Sequence, residues 1–202
     1  MFATALTAQN PKFVAALEKN KPTIDTAHTK ETFQQLANTM ERIAGAEKKE
    51  WLANYYASFC IAMSGFFDSD NSKKDDIYEK AMAYLNKADS LSPNNSEVYT
   101  LKGMIQQLQL QVNPVLRGQK YGQMSAASFD KAIELDPNNP RPYYLKGQGT
   151  FYTPAMFGGG KEKAMPFLQQ AVDKYAAFKP ANSIMPTWGE YRAKQLLEEC
   201  KK

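Results

Sequence analysis

The second half of the chain contains the stretch Ser125-Ala-Ala-Ser-Phe129-Asp-Lys-Ala132-Ile-Glu-Leu-Asp-Pro137-Asn-Asn139-Pro-Arg141-Pro-Tyr143-Tyr-Leu-Lys-Gly147, and an earlier stretch repeats its spacing. In both, a small residue is followed by a large apolar residue, then by Ala and by Pro-Asn-Asn (Ala81, Leu85, Ala88 and Pro93, as against Ser125, Phe129, Ala132 and Pro137). Tyr and then Gly follow the Pro at identical distances (Tyr99 and Gly103, Tyr143 and Gly147). A third copy keeps the first three positions (Ala164, Leu168 and Ala171). The chain therefore contains internal repeats, which must be interpreted before any single motif.

Each repeat has the pattern of two packed helices. Apolar residues recur every three or four positions, as in amphipathic helices, and the alternation typical of strands is almost absent. Small residues allow two helices to approach closely, and Pro ends one helix before the next begins. Because Gly in a helix costs about 1 kcal/mol relative to Ala, its reuse at Gly103 and Gly147 predicts close helix contact there. These features predict an all-α protein built of helical hairpins.

The repeated residues resemble the tetratricopeptide repeat family. The stretch 129–147 carries nearly the whole helix-turn-helix signature of that repeat. Three further segments are similar to a group of exported bacterial tetratricopeptide-like proteins: Asn139-Pro-Arg141, Pro154-Ala-Met-Phe-Gly158-Gly-Gly160 and Pro186-Thr-Trp188-Gly189. The resemblance implies a right-handed superhelical array of hairpins with a C-terminal capping helix, in which the first helix of each repeat lines a concave groove.

The repeats are longer than those of the family. Equivalent positions lie 44 and then 39 residues apart, whereas the family period is about 34. Because the spacing from Pro to Tyr to Gly is constant, the surplus must lie between the two helices of a repeat. We therefore expect lengthened inter-helix loops at residues 106–122 and 152–160, on one face of the array.

We divide the chain into a start and one repeat domain. Residues 1–10 are a signal-peptide remnant or a flexible start, and residues 11–202 form a single domain. Within it we expect N-terminal helices at 11–47, repeat hairpins at 48–95, 96–139 and 140–180, and a capping helix within 181–202. The first helix is expected to end before Pro22, and the last to run from Trp188.

Composition and charge exclude several classes of protein. The chain has 202 residues, 43% hydrophobic and 23% charged, which suits a folded domain. No apolar run approaches the roughly 18 residues of a transmembrane helix. The net charge is +4. Positions 1–100 hold 11 basic and 13 acidic residues, and positions 101–202 hold 14 basic and 8 acidic residues. Because the basic residues are interspersed with acidic ones, the pattern does not favour a nucleic-acid partner.

The first residues resemble the end of a secretory signal. Residues 1–9 are uncharged and mostly small or apolar, and they give way to Asn10-Pro11-Lys12. A basic region and most of an apolar core would precede such a segment in a complete signal peptide. We therefore predict an exported, periplasmic protein, with a cytoplasmic location as the alternative.

The residues offer little for catalysis. His28 is the single histidine, and Cys60 and Cys200 lie 140 positions apart, so neither a metal site nor a histidine-driven triad has the residues that it needs. We predict a protein that is not an enzyme and needs no cofactor. A carboxylate-based hydrolase is kept as an alternative, because two acidic residues from distant positions would suffice.

Binding is the predicted function, and the resemblance implies its location. The groove-lining positions carry polar, aromatic and cationic residues, which are Tyr56, Phe59, Thr100, Met104, Gln107, Arg141, Tyr144, Gln148 and Tyr152. Such residues suit a protein or peptide partner, including an acidic one, with Arg141 as the anionic anchor. The alternative is a small-molecule ligand of a carrier or transporter accessory, in a cavity that the inserts close. A third interpretation is that these side chains only pack against the inserts.

A second candidate is an anion site at Gly158, Gly159, Gly160 and Lys161. The segment lacks the first Gly and the Ser/Thr of a phosphate loop, and its flanks are helical, so a nucleotide site is excluded. Three glycines before a helix leave N–H groups that can hold a carboxylate or phosphate. The alternative is that the glycines only allow a tight turn.

Overall fold

The computed structural model of the protein describes residues 10–202, which form α helices and short 3-10 turns without any strand. The helices are α1 (Pro11–Thr26), α2 (Lys30–Ala46), α3 (Trp51–Phe66), α4 (Lys74–Leu91), α5 (Ser96–Val112), α6 (Pro114–Leu135), α7 (Pro140–Tyr152), α8 (Lys161–Ala177) and α9 (Glu190–Cys200). None of the helices within these residues is long and apolar enough to cross a membrane. The predicted signal remnant lies outside the described residues, apart from Asn10.

The helices pack as consecutive hairpins. The pairs α3–α4, α5–α6 and α7–α8 make three of them, α2 covers α3 on one side, and α9 covers α8 on the other. The predicted all-α, tetratricopeptide-like array is thereby confirmed.

The repeated residues explain the hairpins. A Cβ on Gly147 would lie 2.7 Å from Cγ of Leu168, and one on Gly103 would overlap the ring of Phe129. Both large side chains are buried, so each glycine makes room for the apolar residue of the paired helix. The second Asn of Pro-Asn-Asn starts the next helix, since the side chain of Asn139 accepts a hydrogen bond from the N–H of Arg141 at 3.1 Å.

The first insert is helical, which corrects the prediction of a long loop at residues 106–122. α5 continues to Val112 and α6 begins at Pro114, so that one residue separates them. Asn113 caps α6 by accepting from the N–H of Leu116, and Pro114 occupies a first-turn position where its missing N–H costs nothing. The extra residues therefore lengthen two helices. The second insert is a loop, as predicted, with a short 3-10 turn at Ala155–Phe157.

The predicted end of α1 is also wrong, because the helix passes through Pro22 and ends at Thr26. An internal proline costs about 3 kcal/mol, and the last turn offsets part of that cost by burying Ile24 in the core. The hydroxyl of Thr26 also donates to the carbonyl oxygen of Pro22 at 2.8 Å.

Residues 178–189, which we call the strap, lie between α8 and α9 without regular structure. The strap reaches α3, where the Tyr56 hydroxyl donates to the carbonyl oxygen of Ile184 (2.8 Å) and Trp188 Nε1 donates to the Tyr55 hydroxyl (3.0 Å). It also reaches α1, where the hydroxyl of Thr187 donates to Asp25 at 2.8 Å. The cap helix consequently begins at Glu190, two residues after the predicted Trp188. Through these contacts the strap connects the C-terminal part of the array to α1 and α3 in its N-terminal part.

Candidate functional site

The strap covers the groove in which the sequence analysis placed the binding residues. Its Trp188 ring stacks on Phe59 with a centroid distance of 5.2 Å. Six of the predicted groove residues are buried (Tyr56, Phe59, Thr100, Met104, Arg141 and Tyr144), Gln107 and Gln148 are half-buried, and Tyr152 is exposed. Ligand binding by these residues stays a prediction. In this structure the chain's own residues occupy most of the groove.

Arg141, the expected anionic anchor, has a side chain that is 0% exposed. Its Nε donates to Oε2 of Glu97 at 2.8 Å and its Nη2 to Oε1 at 2.5 Å, while the guanidinium lies 4.6 Å from the ring centroid of Phe178. Burial disfavours the charged form, but the charge and hydrogen bonds of Glu97 outweigh this effect and raise the pKa of Arg141. The cation is therefore balanced within the chain and is not presented at the surface.

Glu97 and its neighbour Ser96 connect α5 to both α7 and α6. Nδ2 of Asn139 donates to Oε1 of Glu97 (2.9 Å) and to the hydroxyl of Ser96 (3.0 Å), which in turn donates to the carbonyl oxygen of Ala132 (2.8 Å). A cleft of about 270 Å³ lies beside these groups and is lined by Asn95, Ser96, Glu97, Leu135, Asp136, Phe178, Lys179, Ala181 and Met185. The buried polar groups hold α5, α6 and α7 together under the strap.

The glycines of the predicted anion site use their N–H groups within the loop. Gly158 donates to Ala155 (2.9 Å), Gly159 to Pro154 (3.2 Å) and Gly160 to Thr150 (2.9 Å), in each case to the carbonyl oxygen. Gly158 and Gly160 have φ of 86° and 106°, which favours glycine. The tight-turn alternative therefore accounts for Gly158 and Gly160, and anion binding at the start of α8 stays a prediction.

Exposed apolar side chains gather on one edge of the array. We call it the hairpin-tip edge, because the hairpins stack side by side and α3, α5 and α7 all end there, where α4, α6 and α8 begin. Nine large hydrophobic side chains are exposed among residues 10–202, and six belong to this edge (Phe66, Val115, Leu116, Tyr152, Met156 and Phe157). Large apolar side chains exposed at one edge make that edge a candidate binding surface.

We call Tyr152, Met156 and Phe157 at the second insert, together with Tyr191 and Arg192 at the start of α9, the tip cluster. The two elements are joined by the hydrogen bond between Arg192 and Tyr152. The first four of these residues are 60%, 83%, 73% and 76% exposed. The loop is closed at its base by the hydrogen bond between Gly160 and Thr150. Arg192 of α9 donates from Nη2 to the Tyr152 hydroxyl at 2.5 Å, so α9 contributes a cation beside the aromatic loop.

Arg192 is held in place but remains accessible. Its Nη1 donates to Gln195 and to Glu199, both at 3.2 Å, and its side chain is 35% exposed. Arg117, at the start of α6, is instead bound through two nitrogens by both carboxylate oxygens of Asp75, and this pairing lowers the pKa of Asp75. The tip cluster thus combines aromatic rings, a thioether and a partly available cation, which suits a flat apolar ligand that carries an anionic group.

Within residues 10–202, no group of three His, Cys, Asp or Glu side chains is placed to hold a metal ion. Cys60 and Cys200 are buried and unpaired, and burial raises the pKa of both thiols. His28 lies between α1 and α2, with Nδ1 at 3.2 Å from the carbonyl oxygen of Thr26. These residues do not assemble a catalytic or metal centre.

Sequence reasoning identified Tyr152 but assigned it to the groove, and it did not select the rest of the tip cluster. A signal for Met156 and Phe157 was present, because large apolar residues between Pro154 and three glycines are expected in an exposed loop. No local pattern distinguishes Arg192 from Lys194, the other cation of α9.

Comparisons with known proteins agree with this architecture. The tetratricopeptide repeat family matches residues 78–95, which include most of α4. No curated protein matches the chain. Among solved structures, the HusA haemophore from Porphyromonas gingivalis superposes with a TM-score of 0.85 and 38% sequence identity, over 96% of this chain and 94% of that one. The fold and this relative indicate a binding protein, and the chain belongs to the HusA haemophore family of tetratricopeptide-like helical proteins.

Proposed function

We propose that this protein binds haem or a closely related porphyrin, and that the tip cluster is the site. The observation that carries the proposal is the 38% identity, over nearly the full length of both chains, to a protein described as a haemophore. A haemophore is a haem-carrying protein. Haem would be the small-molecule ligand that the sequence offered as the alternative to a protein or peptide partner.

The chemistry of the tip cluster fits such a ligand. A porphyrin is a flat aromatic macrocycle, and haem carries two carboxylate groups on one side. Tyr152, Met156 and Phe157 offer exposed aromatic and thioether groups that lose contact with water when a flat ring covers them. Arg192 supplies a cation for a carboxylate at the rim. Val115 and Leu116, at the start of α6, are also exposed on the hairpin-tip edge.

A protein or peptide in the concave groove is less well supported. An open groove would present Arg141 and Tyr144 to solvent, whereas both are buried. A peptide would have to displace Ile184 and Trp188 of the strap, together with their hydrogen bonds to Tyr56 and Tyr55. An exported or periplasmic location, as predicted from residues 1–10, would suit capture of haem outside the cytoplasm.

The test is a titration of ferric haem into the full chain, followed by visible absorption. We expect saturable binding, and we expect Met156→Ser with Phe157→Ser to weaken it by about 10- to 100-fold, since about 1–3 kcal/mol of apolar contact is lost. Leu91→Ser is the matched control, because Leu91 is exposed at the end of α4, on the opposite edge. Absence of saturable binding would refute the function. Equal affinities of the double variant and the control would refute the site.

A further inference from the structure

We infer that the cleft between the strap and the adjoining ends of α5 and α6 is a second ligand site, and that it takes a free amino acid with an apolar side chain. The cleft lies where α5 begins and α6 ends, which is the edge of the array opposite the hairpin-tip edge. Since α5 has 17 residues, about 25 Å separates the two edges. The inference is therefore independent of the tip cluster and goes beyond the proposed function.

The size and the apolar wall of the cleft set the kind of ligand. Its volume is about 270 Å³, close to the lower end of the range of roughly 300–1,000 Å³ for sites that enclose small molecules. This volume suits a molecule the size of an amino acid rather than a porphyrin. The apolar residues of the lining, which would cover the side chain of the ligand, are Leu135, Phe178, Ala181 and Met185.

The walls of the cleft are fixed by contacts that need no ligand. The Arg141 guanidinium lies 4.6 Å from the ring centroid of Phe178, and it is bound by both carboxylate oxygens of Glu97, which also lines the cleft. In the strap, the N–H of Met185 donates to the carbonyl oxygen of Asn182 at 3.3 Å. Walls that are formed in advance reduce the entropy that a ligand loses by ordering its site.

The end of α6 offers a place for an ammonium group. Asp136, the C-cap of α6, lines the cleft with an exposed side chain. Its carboxylate accepts from the N–H of Asn138 at 2.9 Å and forms no ion pair within residues 10–202. The last carbonyl oxygens of a helix lack intrahelical donors and carry partial negative charge, which adds to that of the carboxylate. Glu97 is already neutralised by Arg141, so we expect the ammonium group at Asp136.

The strap offers the opposite charge. Lys179 lines the same cleft, is exposed, and pairs with no acidic residue in the described part of the chain. Asp136 and Lys179 thus face one cleft without neutralising each other, and both remain available to a ligand. An amino acid carries an ammonium group and a carboxylate on the same carbon, and can therefore bind both. A simple amine would place a second positive charge near Lys179, which is unfavourable.

The experiment titrates L-leucine into the full chain without porphyrin and follows the backbone amides by two-dimensional NMR. We expect saturable shifts at residues that line the cleft, including Ser96, Asp136 and Lys179. Asp136→Asn and Lys179→Gln should each weaken binding at least about 5-fold, since each removes a charged hydrogen-bond partner. Glu134→Gln is the matched control, because Glu134 is exposed near the same end of α6 but does not line the cleft. It should leave the affinity unchanged.

Two derivatives of the probe separate the charged groups of the ligand. Leucinamide lacks the carboxylate, and N-acetyl-leucine lacks the ammonium group. We expect both to bind at least about 5-fold more weakly than L-leucine. Equal binding of leucinamide would overturn the recognition of a free amino acid and indicate the amino terminus of a peptide instead.

The outcomes separate this inference from the proposed function. If L-leucine, L-methionine and L-phenylalanine all fail to bind saturably, or if Asp136→Asn and Glu134→Gln bind L-leucine equally, the amino-acid site is refuted while porphyrin binding stands. If haem fails to bind, the proposed function falls and the cleft is judged by its own titration. Asp136→Asn keeps an oxygen that can accept from the N–H of Asn138, and circular dichroism checks that the helices are intact.

Discussion

The groove under the strap and the tip cluster contain the same kinds of residue and differ in what those residues contact. In the groove, Arg141 is paired with Glu97 and faces the rings of Phe178 and Trp188. In the tip cluster, Arg192 also bonds a carboxylate and a tyrosine, but it is 35% exposed and its aromatic neighbour is open to solvent. An arginine among aromatic side chains is therefore a structural element where the chain covers it and a candidate ligand site where it does not.

The strap causes this difference. A segment without regular structure can direct both its carbonyl oxygens and its side chains at the groove, as Ile184 does with Tyr56 and Trp188 with Tyr55. It thereby satisfies hydrogen-bonding groups that would otherwise need a partner. The loop at residues 153–160 forms hydrogen bonds mainly within its own backbone, through Gly158 and Gly159, and leaves its large side chains exposed.

The largest expected effect is at Arg141. Arg141→Met removes the cation and leaves the buried Glu97 carboxylate without its ion pair, so we expect a loss of about 3–5 kcal/mol in the free energy of unfolding. Urea denaturation measures it. The matched control is Arg192→Met, whose half-exposed ion pair should cost less than about 1 kcal/mol.

A double variant, Glu97→Leu with Arg141→Met, should recover most of the stability, because it removes both buried charges. If Arg141→Met and Arg192→Met lower the free energy of unfolding equally, the two arginines do not differ in how strongly their ion pairs stabilise the fold.

A smaller effect on stability is expected in the hairpin of α5 and α6. Gly103→Ala would place a methyl group in the ring of Phe129, and we expect a loss of about 1–3 kcal/mol. Gly118→Ala in the partner helix meets nothing within 4 Å and should stabilise the protein by up to about 1 kcal/mol. Thermal unfolding of the two variants measures the difference. A stabilising Gly103→Ala would contradict the close packing of α5 on α6.

These packing positions were predictable because their signal is local, whereas the strap was not. The spacing of Gly103, Phe129 and Gly147 along the sequence indicates where the two helices of each hairpin contact each other. The strap instead pairs residues 128 and 133 positions apart, Tyr56 with Ile184 and Tyr55 with Trp188, and no periodicity encodes such contacts. Sequence reasoning therefore placed the groove residues on the correct helices and missed what covers them.

At two prolines the structure differs from the prediction, for different reasons. The predicted loop contains Pro114, which instead starts a helix, and this start has a local signal because Asn113 caps it and Pro suits the first turn. The predicted end of α1 precedes Pro22, whereas the burial of Ile24 carries the helix beyond it, which is an effect of tertiary packing.

Alkaline pH should destabilise the protein through Tyr144, which is buried in the groove under the strap. Burial raises the pKa of Tyr144 to about 12, although Arg192 and a hydrogen bond with Gln148 oppose the effect. Because the pKa is higher in the folded state than the ordinary value of 10.0, this contribution to stability is complete below pH 10 and is lost as pH rises from about 10 to 12.

Urea unfolding across this range should therefore show falling stability for the wild type and a shallower fall for Tyr144→Phe. The exposed Tyr191→Phe serves as the control and should follow the wild type. A Tyr144→Phe curve that is parallel to the wild type would mean that the Tyr144 hydroxyl is not buried in solution.

The smallest effect is expected in the tip cluster and is the most informative about function. Met156→Ser and Phe157→Ser replace side chains that are 83% and 73% exposed, so each should change the free energy of unfolding by less than about 0.5 kcal/mol. Urea denaturation without ligand measures this, with Arg141→Met as the contrasting variant. A loss above about 1 kcal/mol would mean that the loop packs on the protein in solution. A loop that stability does not require, and that nevertheless carries large apolar side chains, has to be explained by what it binds.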